Sequence, residues 1–68
     1  DGTNLDAELF LHAVDLVLRE RRATISFVQR HLGVGYNRAA NLLEAMEEAR
    51  IVSKANSMGR REILVPEN

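Results

Sequence analysis

Apolar residues recur at helical spacing over most of the chain and give way to short β-rich runs near its end. Between Asp6 and Arg22, the residues Leu9, Ala13, Leu16 and Val17 fall on one face of an amphipathic helix. Phe10, Val14 and Leu18 widen that stripe beyond a single face. Acids at the start of this segment and arginines at its end suit the helix dipole. Residues 1–5 read as a leader, with Thr3 or Asn4 placed to cap the helix.

Ala23-Thr24-Ile25 is short and ends β-branched, which suits a minimal strand. Ser26-Phe27-Val28-Gln29 has the form of a capping box, with Ser26 as N-cap and Gln29 at N3, so a second helix is expected from Ser26 to Leu32. Gly33-Val34-Gly35 marks a tight turn. A third helix is expected from Tyr36 to Arg50, with Ala39, Leu42, Leu43 and Met46 as its core stripe. Ile51–Lys54 and Arg60–Val65 flank an Asn/Ser/Gly loop and read as a hairpin, which Pro66 ends because it cannot donate to a ladder. The expected fold is mostly α with a small β-hairpin, a winged helix-turn-helix over residues 6–66 with a tail at 67–68.

Composition narrows the function. The chain has 68 residues, 46% of them apolar, and no cysteine. A chain this short has a thin core and little room for a deep substrate cleft. Without cysteine there is no disulfide framework, thiolate metal site or thiol nucleophile. No apolar run reaches the roughly 18 residues of a membrane span, and no signal-peptide pattern opens the sequence. The expected setting is the cytoplasm, with no membrane contact by this domain.

Net charge is only -1, but its distribution is uneven. Residues 19–38 carry Arg19, Arg21, Arg22, Arg30 and Arg38 against Glu20 alone. Clustering matters more than net charge, because phosphates respond to the local field within a Debye length of about 8–10 Å. In a helix-turn-helix the second helix enters the major groove, and its first residues meet base edges. Those residues here are Tyr36, Asn37, Arg38 and Asn41. Arg pairs bidentately with guanine and Asn with adenine. Asn37 and Asn41 share a stripe opposite the core with Glu44 and Glu48, which phosphates repel, so only the first turns suit the groove. Asn37 is also a candidate helix cap, and Tyr36 is expected to half-bury its ring on the turn. Gln29, Arg30, Arg21 and Arg22 are candidate phosphate contacts, as are Lys54, Asn56, Ser57, Arg60 and Arg61 around the hairpin tip. A cross-strand Arg61–Glu62 pair is the alternative use of Arg61.

Catalysis finds no support. His12 and His31 fall on different helices without metal-ligand spacing, and Asp15 beside His12 makes an ordinary surface pair. The serines have no base at a recognisable spacing, and no Walker Lys-Ser/Thr follows Gly33 and Gly35. The expectation is a binding module without metal or cofactor.

Four runs carry a family resemblance: Arg21–Ser26, Val28-Gln29-Arg30, Gly35-Tyr36-Asn37-Arg38-Ala39-Ala40 and Glu44-Ala45-Met46-Glu47. Together with Asn56, Gly59, Arg61 and Glu62 in the hairpin, they closely resemble the gamma domain of FtsK/SpoIIIE-type DNA translocases. The likeness runs from Leu9 to Pro66. It implies a winged helix that reads short, polar, G-rich duplex sites and so orients a chromosome-partitioning motor, itself anchored in the inner membrane. It also implies contact with a tyrosine recombinase, while further copies of the domain on DNA are a partner suggested by the broad apolar surface to which Leu11 adds. By carry-over, Asn37 and Arg38 would read bases, and Arg61 with its neighbours would grip the backbone. Asn41 stands where the family has Arg, Arg50 where it closes the helix with Gly, and Arg60 where it has a small residue. Leu11 and His12 replace acidic residues. These departures leave open a divergent or stand-alone relative, such as a winged-helix transcriptional regulator. A winged helix used for protein contact through its first helix is the other alternative.

Overall fold

Three helices follow one another and pack mutually: α1 (Gly2–Glu20), α2 (Ile25–Leu32) and α3 (Tyr36–Glu48). They belong to a computed structural model that describes residues 2–66, with side chains from Ala7 onward. The expected tail at 67–68 lies outside the described residues. α1 begins at Gly2, so Thr3 and Asn4 lie inside the helix and the expected leader is largely helical.

The two stripes read from periodicity, on α1 and α3, meet in one core with Val28 of α2. Ala13 and Val17 of α1, Val28 of α2, and Ala39, Leu43 and Met46 of α3 are fully buried, with Leu16 and Leu42 nearly so. Phe10, Val14, Phe27 and Leu32 pack around them. Among the described residues no polar or charged one is buried, so the interior formed by them asks for no compensating hydrogen bonds.

α2 starts one residue earlier than expected, and its cap is Thr24. The Thr24 backbone is extended (φ -101°, ψ 152°), and its Oγ1 accepts from the Phe27 amide at 3.3 Å. Ala23 before the cap and Val28 four residues after it both belong to the core, the spacing of a hydrophobic staple. Ile25 is thereby the first helical residue, and residues 23–25 form no strand. The apolar staple outweighs the Ser26/Gln29 capping box.

Each helix is closed by a left-handed residue followed by an amide that bonds back five positions. The residues are Arg21 (φ 56°), Gly33 (φ 67°) and Arg50 (φ 62°). The closing bonds are Arg22 N to Val17 O (3.3 Å), Val34 N to Gln29 O (3.3 Å) and Ile51 N to Met46 O (2.9 Å). This is Schellman-type closure, which satisfies carbonyls that the helix leaves without a partner. α3 therefore ends at Glu48 rather than at Arg50.

After α3 the chain reverses, but the two expected strands reduce to one antiparallel bridge between Val52 and Ile63. Ser53 N donates to Glu62 O (2.8 Å), and Leu64 N to Ile51 O (2.9 Å). The next ladder bond would run from Glu62 N to Ser53 O. Glu62 N instead donates to Ser53 Oγ at 2.8 Å, and Ser53 O accepts from the Arg61 guanidinium at 3.1 Å. A side chain has taken the carbonyl that a longer ladder requires. At the tip, Asn56 N donates to Arg60 O and Gly59 N to Asn56 O, both at 2.9 Å, with Gly59 left-handed (φ 78°). That left-handed glycine follows a β-turn and completes the reversal of the chain.

Candidate nucleic-acid interface

The α2–α3 turn places the candidate readers. Gly33 reverses the chain, and Gly35 is the extended N-cap of α3 without a side-chain cap bond. Tyr36, Asn37 and Arg38 are therefore the first three helical residues. Asn37 does not cap the helix, because that place belongs to Gly35. With Ala39, Leu42, Leu43 and Met46 turned into the core, Asn37, Arg38 and Asn41 are all exposed on the N-terminal half of α3. Tyr36 is 61% exposed, against the expectation that its ring half-buries on the turn. The expected separation of α3 into an apolar and a polar face holds.

Asn37, Arg38 and Asn41 also border a cleft of about 690 Å³ between α3 and the start of α1, where Ala7, Leu9 and Phe10 supply much of the apolar lining. No motif or residue spacing announces this cleft. Its signal was the surplus apolar width of α1, which one helix–helix contact does not use up.

The remaining candidates divide into two groups. Arg22, Arg30, Lys54 and Arg60 are exposed and make no ion pair among the described residues. Arg22 lies 6.0 Å from the centre of the Phe27 ring, at the outer limit of a cation–π contact. Gln29 is half-buried on α2. Arg61 is turned inward. Its Nη1 donates to Glu47 Oε1 at 2.7 Å and to Ser53 O at 3.1 Å, and its side chain is only 10% exposed. The expected backbone grip does not fit this placement, and the alternative Arg61–Glu62 pair is replaced by a pair with α3. Asn56 is likewise occupied: its Oδ1 accepts from the amides of Met58 (2.9 Å) and Arg60 (3.0 Å). It shapes the loop that displays Arg60.

The local charge excess is smaller than the sequence count implies. Arg19 pairs with Asp15 at 2.7 Å, so Asp15 serves Arg19 and the expected His12–Asp15 pair does not form. Glu44 and Glu48 stay exposed further along α3 and bound the site on that side. No helix is long and apolar enough to cross a membrane, and no cluster of metal-ligating side chains occurs among the described residues.

The sequence matches the FtsK gamma domain family over residues 4–66. The chain belongs to that family. Over 67 residues it is 54% identical to the DNA translocase FtsK of Rickettsia typhi, covering 98% of this chain and 9% of the relative. It is 62% identical over 58 residues to the DNA translocase FtsK 2 of Ralstonia nicotianae, covering 85% of this chain and 7% of that protein. For the FtsK of Rhizobium meliloti the identity is 61% over 54 residues, 79% of this chain and 6% of the relative. The chain thus spans less than a tenth of the translocases it matches. In this gamma domain the signature Gly35-Tyr36-Asn37-Arg38-Ala39-Ala40 is the N-cap and first turn of α3, and Glu47 and Arg61 are the two ends of one ion pair.

Proposed function

We propose that this gamma domain is a winged helix that binds duplex DNA sequence-specifically and thereby orients the translocase to which it belongs. α3 is its recognition helix, and the Ser53–Glu62 reversal is its wing. The observation that carries this reading is the joint exposure of Asn37, Arg38 and Asn41 on the first turns of α3. Amide and guanidinium groups are the side chains that pair bidentately with adenine and guanine in the major groove. Arg30 on α2, Arg22 before it, and Lys54 and Arg60 on the wing supply phosphate contacts that fix register without reading sequence. Gln29 is a lesser contact, limited by its half-burial, and Tyr36 lies at the edge of the groove contact. Asn41 moves the preferred site of this chain away from guanine and toward adenine at one position. Neither catalysis nor a cofactor is part of the role; translocation energy comes from elsewhere in the parent protein.

A second reading uses the domain for protein contact, and the 64% exposure of Leu11 on α1 favours it. A tyrosine recombinase or further copies of the chain on DNA are the proposed protein partners, and the outward face of α1 is the apolar surface available to them. The two readings separate on salt. DNA binding through Z phosphates gives a log–log slope of about -0.9Z, whereas an apolar α1 contact gives a shallow one. A steep slope with preference for particular duplexes supports DNA reading, and a flat slope without preference removes it.

A further inference from the structure

Arg61 is the residue whose placement departs most from a DNA-contacting role. One guanidinium nitrogen bridges two elements, Glu47 on α3 and the Ser53 carbonyl at the base of the wing, and the side chain is nearly withdrawn from solvent. The Ser53 hydroxyl completes the arrangement. It accepts from Glu62 N at 2.8 Å and donates to Lys54 O at 3.1 Å, which frees the Ser53 carbonyl for Arg61. Apart from the Asn56–Arg60 bond at the tip, backbone pairing between the two arms of the wing is limited to the Val52–Ile63 bridge, which alone holds them weakly. Glu47 lies on α3 about a third of a turn from Asn41 and leaves the base-facing side clear. The exposed cations Lys54 and Arg60 flank this clamp in sequence.

From this geometry we propose that Glu47 and Arg61 are a positioning pair that locks the wing onto the recognition helix. Lys54 and Arg60 then meet phosphates in fixed register with Asn37 and Asn41. The proposal rests on the DNA-binding reading. It makes an acidic residue of α3 favourable to binding a polyanion, the reverse of what its charge implies. Removing a carboxylate near DNA should tighten binding through the long-range field. Removing this one should weaken it.

The experiment compares the chain with Glu47→Gln, Arg61→Ala, Arg60→Ala and the exchange Glu47→Arg/Arg61→Glu. Each is titrated with mixed-sequence duplex DNA over a salt series, and amide hydrogen exchange of Ser53, Asn56 and Glu62 is followed on the protein alone. The expected result is a loss of about three- to tenfold in affinity for Glu47→Gln, as when one or two phosphate contacts loosen, with faster wing exchange and unchanged α3 protection. The exchange variant should recover both wing protection and most of the affinity. Arg60→Ala, a direct contact, should lower the salt slope by about one and leave wing exchange unchanged. Equal or tighter binding by Glu47→Gln beside normal binding by the unaltered chain would overturn the clamp and leave the DNA reading standing. Absence of salt-dependent binding by the unaltered chain would overturn the DNA reading and the clamp with it. Loss of α3 protection in Glu47→Gln would reduce the pair to an ordinary stability contact and also overturn the proposal.

Discussion

Arg50 closes α3 with a φ of 62°, and its side chain is exposed. An L-residue in this region pays about 1–2 kcal/mol for the approach of its Cβ to the next carbonyl, a cost glycine escapes. Part of that gain is returned through the greater freedom of glycine in the unfolded chain. Arg50→Gly should therefore stabilise the fold by about 0.5–1 kcal/mol, seen as a higher urea midpoint at unchanged slope. An unchanged or lower midpoint would show that the Arg50 side chain contributes something its geometry does not reveal. At Gly33 (φ 67°) the same physics runs the other way. A Cβ there would meet nothing within 4 Å, so a loss of about 1 kcal/mol on Gly33→Ala would be purely backbone strain. In the core, Leu43→Ala should cost about 2–5 kcal/mol, because Leu43 is fully buried with no solvent to refill the space.

Helices were the most legible elements in the sequence, and the reason lies in particular residues. Ala39, Leu42, Leu43 and Met46 repeat at the helical period, and all four are buried as that spacing requires. Boundaries were less legible, because a cap is decided by competition between neighbours. Ser26 with Gln29 matched the capping pattern, yet Thr24 is the cap because it lets Ala23 and Val28 enter the core together. Thr24→Ala should cost about 1 kcal/mol and Ser26→Ala less than about 0.5 kcal/mol, measured side by side by thermal unfolding. Equal costs would return the cap to Ser26. The end of the chain was the least legible part. Its β-branched runs predicted strands, but Ser53 and Arg61 divert the hydrogen bonds that would extend the ladder. Nothing in local spacing announces a contact between Arg61 and a glutamate fourteen positions back. The exposure of the proposed readers Asn37, Arg38 and Asn41 was legible from spacing, because they are what the core stripe of α3 leaves outside.

Across the described residues, the exposed cations proposed to face DNA fall in three groups: Arg22 and Arg30 around α2, Arg38 on α3, and Lys54 with Arg60 on the proposed wing. Arg19 and Arg61 are paired with acids, which lowers their share of the field that bound DNA would feel. On the preferred duplex, Arg38→Ala should cost about 1–3 kcal/mol and relax choice at one base pair, whereas Arg60→Ala should weaken all duplexes alike. Asn41→Arg should move one position of the preferred site from adenine to guanine. The most direct test of the account is selection of bound duplexes from a random library at about 150 mM salt, using the chain alone and as a tethered oligomer. The expected result is enrichment of an asymmetric, G-rich site carrying an adenine at the position that Asn41→Arg converts to guanine. A palindrome would contradict the orienting role, and no enrichment in either format would contradict DNA reading by α3.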